Sequence, residues 1–124
     1  MASTVIQLYS ETLTNEATTD GVWKSAEFDV SACDILILKF NPTAFSTPGY
    51  IALNRIDPQG DSDTMWASGI NGDNLSPIWA DVGACDSYSS SRAWGAKAQI
   101  VIGTTDPNET MFSGGLSLVG RGQS

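Results

Sequence analysis

The chain has 124 residues, of which 41% are hydrophobic and 16% are charged, with six lysines and arginines against fourteen aspartates and glutamates. The resulting net charge of −8 repels phosphate groups, which excludes nucleic acid and anionic membranes as main partners. The length is that of one domain, and the lack of histidine removes the usual base of a Ser–His–Asp triad and the usual ligand of a zinc site.

The start of the chain indicates the compartment in which the protein is synthesised. Residues Met1–Ile6 lack the basic segment and the apolar core of a secretory signal, and no apolar run is long enough to span a membrane. We therefore expect synthesis in a cytoplasm. Cys33 and Cys85 are the two cysteines, and a reducing compartment favours two thiols over a disulfide, although the sequence leaves both states open.

Short runs with the pattern of β-strands recur along the whole chain, and turn-forming residues separate them. Helical spacing of apolar residues is nearly absent. Ala26, Phe28 and Val30 alternate with Glu27 and Asp29, which is typical of a strand with one face in a core. The predicted strands, in chain order, are residues 5–9, 22–30, 34–40, 50–56, 64–68, 77–82, 96–102 and 110–119.

Prolines and glycines mark the predicted loops. Residues 41–49 contain Pro42 and Pro48, which donate no hydrogen bond to a strand ladder, so this segment is predicted to lie outside the strands. Residues 57–63 combine Pro58 with Gly60 and are predicted to turn the chain.

The spacing of these elements predicts the fold class. About eight antiparallel strands, separated by roughly 8–15 residues, are typical of a β-sandwich or jelly roll. We expect one all-β domain over residues 1–124, with two facing sheets. The two ends, residues 1–4 and 120–124, are candidates for flexible arms.

Two groups of segments resemble small structural proteins of tailed phages. The first is Trp23 followed by Phe28–Ser31 and Asp34–Leu38. The second is the strand and turn Ile100–Pro107, followed by Phe112-Ser113 and the ending Leu116-Ser117-Leu118-Val119-Gly120-Arg121. In such proteins a strand, a turn of the Gly-Thr-x-Pro type and a Val-Gly-Arg ending close a β-sandwich. The resemblance covers pieces of residues 20–122.

This resemblance implies a function. Many proteins of this kind are capsid decoration (cement) proteins, which bind the major capsid protein on the outside of the virion and stabilise the head by bridging capsid subunits. The expected protein is not an enzyme, needs no cofactor and associates with itself, as a trimer. No spacing of serine, cysteine or lysine singles out a nucleophile, which agrees with a structural role.

The aromatic residues suggest both a core and a contact surface. Trp23, Trp66 and Trp79 lie on predicted strands, so we expect them in the core. Tyr88 and Trp94 flank a polar, serine-rich loop and are expected to be exposed. Exposed aromatic side chains serve protein interfaces and sugar stacking alike. The alternative function is therefore a carbohydrate- or receptor-binding module of a phage tail or fibre.

The few arginines are further interface candidates. Arg55, Arg92 and Arg121 can each form forked salt bridges with carboxylates of a neighbouring subunit, and an ordinary solvated surface role fits them equally well.

One turn has the composition of a weak calcium site. Asp57, Asp61 and Asp63 offer the hard oxygen ligands that calcium takes. Their spacing is not that of an EF-hand, and capping of the turn's own backbone is the favoured interpretation, so no metal is predicted.

Overall fold

The computed structural model of the protein describes residues 3–17, 21–30, 33, 35–45, 49–56, 59–70, 76–83, 97–104 and 111–123. These residues form nine strands and no helix, so the described chain has no helix able to cross a membrane. The strands are β1 (Ser3–Ala17), β2 (Val22–Lys24), β3 (Phe28–Asp29), β4 (Ile35–Phe45), β5 (Gly49–Ile56), β6 (Ser62–Ile70), β7 (Ile78–Gly83), β8 (Lys97–Thr104) and β9 (Met111–Gln123).

The strands make two antiparallel sheets, which confirms the predicted β-sandwich. The four-stranded sheet has the order β1-β9-β4-β7. The five-stranded sheet has the order β2-β8-β5-β6, and β3 also pairs with β8. Apart from the β5–β6 hairpin and the pair β2 and β3, which share β8, consecutive strands belong to different sheets. Each sheet is therefore assembled from strands that are distant in sequence.

Phe112 on β9 lies at the centre of the core between the sheets. Its fully buried ring is 5.5 Å from the ring of Trp23 and 6.3 Å from that of Phe40, both edge to face, and 6.1 Å from that of Phe45. Trp23 belongs to the five-stranded sheet and the other three rings to the four-stranded sheet. This aromatic cluster therefore joins the two layers.

β4 continues through a segment that the sequence assigned to a loop. Residues 41–45 remain in the strand, and Pro42 pairs with Gly114 beside a bulge. The reason is that β7 pairs with β4 only as far as Phe40. Beyond that point β4 is bonded on one side, so a proline removes no ladder bond on its open side, and bulges accommodate it.

The two ends of the chain pair with each other. Ser3 lies opposite Gln123 and Thr4 opposite Gly122, so these residues continue the β1–β9 ladder instead of forming the expected arms. Residues 1, 2 and 124 are outside the described part. Because β1 and β9 run side by side along nearly their whole length, both extend well past the strands predicted at 5–9 and 110–119.

Ser25 bridges the interruption between β2 and β3. The Ser25 N–H donates to the Ile100 carbonyl at 2.9 Å, and Ser25 Oγ accepts the Ile100 N–H at 2.9 Å. The Ser25 carbonyl accepts a bond from Gln99 Nε2 at 2.8 Å. The predicted strand 22–30 is thus divided into β2 and β3, and Ser25 between them keeps both backbone groups of Ile100 hydrogen-bonded.

We expect Ser25→Ala to lower the free energy of unfolding by about 1–3 kcal/mol, because it leaves the buried Ile100 N–H without its acceptor. Urea denaturation followed by circular dichroism measures the change. Ser62→Ala, an exposed serine on β6, is the control and should change stability by less than about 0.5 kcal/mol. Equal stabilities of the two variants would contradict the bridging role.

Candidate interaction surface

The candidate surface is the outer face of the four-stranded sheet, which is the face that points away from the core. On β4 the buried residues Leu36, Leu38 and Phe40 face the core, so Ile35 and Lys39 point outward by the alternation of a strand. Register partners on β1, β9 and β7 then fall into cross-strand rows on this face.

The first row is apolar with a central cation. Val5 on β1 is 61% exposed and Ile35 on β4 is 39% exposed. Arg121 on β9 pairs with both and is itself exposed, so it lies between them. The adjacent row adds Ile37 and Val119, which are register partners and half-buried. We call these five residues the apolar end of the outer face.

Trp79 is 66% exposed on β7, which corrects the prediction that it belongs to the core. Ile78, Ala80 and Val82 take the inward side of β7, so Trp79 shares the outer side with Asp81. The acidic residue two positions after the tryptophan was the signal in the sequence for this orientation. Trp23 and Trp66, also predicted in the core, are partly buried and pack against it.

Two charged groups contact the Trp79 ring. Its Nε1 donates a hydrogen bond to Asp81 Oδ1 at 3.2 Å. Lys39, its register partner on β4, places Nζ 5.3 Å from the ring centroid, within the range of a cation–π interaction. The indole is therefore oriented although it is exposed.

A depression of about 310 Å³ lies beside this group on the same face. We call it the polar depression; its lining residues are Ser10, Glu11, Thr12, Lys39, Asn41, Gly115, Leu116 and Ser117. Ser10, Ser117, Lys39 and Trp79 form one cross-strand row, and Thr12, Gly115 and Asn41 the next. A Cβ atom on Gly115 would meet nothing within 4 Å, so the depression exists where that side chain is missing.

Among the described residues, the fold perturbs the ionisation of Tyr9. Its ring is 5.6 Å from that of Phe28, a residue of the five-stranded sheet. Burial, followed by the negative charges of Glu11 and Glu16, raises the pKa of the Tyr9 phenol above its ordinary value. Tyr9 is thus a neutral side chain at physiological pH and part of the packing between the sheets.

The structure separates the two arginines whose positions it describes. Arg121 lies on the outer face of the four-stranded sheet, whereas Arg55 lies on β5 of the five-stranded sheet. Arg55 is partly buried and stands opposite Asp63 in the β5–β6 hairpin. The other predicted contact residues, Tyr88, Arg92 and Trp94, lie outside the described residues.

The weak calcium candidates and the cysteines are described in part. Asp61, just before β6, and Asp63, its second residue, are exposed, while Asp57 is outside the described residues. Within the described ranges, no three acidic, cysteine or histidine side chains are grouped as a metal would require. Cys33 is buried and lies against Gly120, so a Cβ added to Gly120 would overlap the Cys33 sulfur. Cys85 lies outside the described residues.

The chain was compared with protein-family models and with curated proteins. No protein-family model matches the chain. A search of curated proteins also finds no match.

Proposed function

We propose that this protein is a capsid decoration (cement) protein of a tailed phage, which binds the major capsid protein on the outer surface of the virion through the apolar end. The observation that supports this function is the exposure of Val5 and Ile35 on either side of Arg121. The choice of a capsid as the partner rests on the resemblance of the strand segments to phage head proteins.

The chemistry of the apolar end suits a protein partner. Burying exposed aliphatic side chains yields about 25 cal/mol per Å² of apolar surface removed from water. Arginine is enriched at protein interfaces because its planar group makes several hydrogen bonds while its stem packs on apolar neighbours. In a chain of net charge −8, Arg121 offers a forked partner for a carboxylate on the capsid.

The sandwich also suits a mechanical role. The apolar end is built on paired strands of a sheet, so its backbone is held before binding and loses little freedom on contact. We propose that three copies associate, so that one trimer contacts several capsid subunits and dissociation requires several contacts to break together. Light scattering tests the trimer as a particle of three times 13.1 kDa.

The direct test is saturation binding of the purified protein to expanded phage heads that lack it. Wild-type protein should bind at a fixed stoichiometry. We expect the double variant Val5→Thr/Ile35→Thr to bind about 10- to 100-fold more weakly, because each hydroxyl replaces an apolar contact of about 0.8–1.5 kcal/mol. Threonine is β-branched and keeps the strand propensity.

Ala67→Ser, an exposed residue on β6 of the other sheet, is the matched control and should bind like the wild type. A wild-type protein that attaches to no bare head contradicts the proposed function. Equal binding of the double variant and the control would show that the apolar end is not the contact surface.

A further inference from the structure

We propose that the polar depression, together with Trp79, binds a neutral sugar residue of a polysaccharide. This site is separate from the apolar end and does not depend on the proposed attachment to a capsid. Four features of the outer face support it: the shape of the depression, its hydrogen-bonding groups, its balance of charge and the exposed indole beside it.

The depression has the size of a site for one small ring. Its volume of about 310 Å³ lies at the lower end of the range, roughly 300–1,000 Å³, that small-molecule sites occupy. Its floor is the backbone at Gly115, above which the space is open. A planar or chair-shaped ring can therefore approach the sheet more closely here than where a side chain stands.

The lining groups match the hydroxyls of a sugar. Ser10, Thr12 and Ser117 each carry a hydroxyl that both donates and accepts hydrogen bonds, and Asn41 adds an amide with the same double capacity. A sugar presents adjacent hydroxyl groups with the same two roles. Such a lining satisfies a polyol on several sides without requiring a charged ligand.

The charges around the depression favour a neutral sugar over an acidic one. Lys39 and Glu11 contribute one positive and one negative group to its lining. The chain as a whole has a net charge of −8, which opposes the approach of an anion. A carboxylated or phosphorylated sugar would therefore meet repulsion that a neutral hexose does not.

Trp79 supplies an apolar surface beside the depression, on β7, next to Lys39 in the same cross-strand row. It is 66% exposed, and its Nε1 bond to Asp81 and the ammonium of Lys39 already orient it. Ordering before binding reduces the entropy lost when a ligand stacks on the indole. Lys39 connects the two parts of the site, because it lines the depression and also lies over the indole.

The depression and the apolar end are made of different residues of the same outer face. Lys39 and Ser117, which line the depression, lie two residues along their strands from Ile37 and Val119 of the apolar end, at a rise of ~3.3 Å per residue and hence ~7 Å away. The two sites can therefore be altered separately by substitution.

The sugar-binding assays use the full-length protein without phage heads, and attachment of the same variants to heads is measured separately. Saturation-transfer NMR and calorimetry are carried out with glucose, galactose, mannose and N-acetylglucosamine, with dextran, galactan and mannan, and with sialic and glucuronic acids. At least one neutral sugar or polysaccharide should bind to the wild type. Gly115→Val fills the floor of the depression, and Trp79→Ala removes the stacking surface; each should weaken binding at least tenfold.

Gly69→Ala, at an exposed glycine on β6 of the opposite sheet, should bind like the wild type, since a Cβ there meets only the Gly49 carbonyl oxygen at 3.9 Å. Thermal melting confirms that each variant is folded.

Absence of binding to every neutral sugar, binding of sialic or uronic acids alone, or unchanged binding by Gly115→Val would overturn the proposal. If no sugar binds and Gly115→Val instead abolishes attachment to heads, the depression belongs to a protein interface and the sugar site is wrong. Loss of head binding by the Val5→Thr/Ile35→Thr variant, with sugar binding unchanged, bears only on the proposed function.

Discussion

Phe112→Ala should lower the free energy of unfolding by about 3–5 kcal/mol, the largest effect that we expect from a single side-chain truncation in this protein. Phe112 is fully buried and contacts the rings of Trp23, Phe40 and Phe45, so the variant leaves a cavity bordered by both sheets. The loss is comparable with the whole stability of a marginal domain. Urea denaturation, followed by circular dichroism and tryptophan fluorescence, measures it.

Val5→Ala provides the control for this prediction, because it also shortens an apolar side chain but at a position that is 61% exposed. It should change the free energy of unfolding by less than about 0.5 kcal/mol. A loss below about 1 kcal/mol for Phe112→Ala would show that the neighbouring rings close the cavity, and that Phe112 is not the link between the layers.

Gly114→Ala should lower stability by about 3 kcal/mol through steric overlap. A Cβ on Gly114 would lie 2.5 Å from the Asn41 carbonyl oxygen and 2.9 Å from both Pro42 Cα and a ring carbon of Phe40. Two of these three atoms belong to the backbone of β4, so the strand itself must move. The same denaturation experiment measures the effect.

The adjacent glycine gives a closely matched comparison. Gly115→Ala adds the same methyl group on the opposite face of β9, where nothing lies within 4 Å. It should leave stability unchanged or raise it by about 0.4–1 kcal/mol, because alanine reduces the freedom of the unfolded chain. Similar losses at both glycines would mean that the close approach of β4 and β9 is not the cause.

The architecture was accessible from local patterns. A strand with one buried face requires apolar and polar residues to alternate, and a chain that returns repeatedly to the same core requires turns. Both patterns can be recognised within short segments of the sequence. Each predicted strand overlaps an observed one, including the pair β2 and β3 within residues 22–30. Where that strand is divided, Ser25 bonds to Ile100, which is 75 residues away and which no local pattern reveals.

The sequence pointed to one residue of the apolar end. Arg121 was selected from the sequence as a contact residue, and the structure places it on the outer face between Val5 and Ile35. Trp79 was assigned to the core because large aromatic residues are usually buried. That preference failed because β7 can turn only one side inward, and Ile78, Ala80 and Val82 occupy it.

The polar depression shows why the rest of the surface could not be predicted from the sequence. Its residues come from β1, β4 and β9, and they form rows only through the register of pairings between the beginning, the middle and the end of the chain. The space above Gly115 is open, whereas the space above Gly114 is filled. The residues that neighbour these two glycines in the sequence do not indicate this difference.

The sequence by itself determined that this protein folds as an all-β sandwich, because strand periodicity and turn chemistry act over a few neighbouring residues. Only the tertiary structure decided which side of β7 faces outward, how Pro42 remains within a strand, and that the chain ends pair with each other. These outcomes depend on which distant strands become neighbours, since a hydrogen-bonding partner or a facing sheet decides whether a given side chain is buried or exposed.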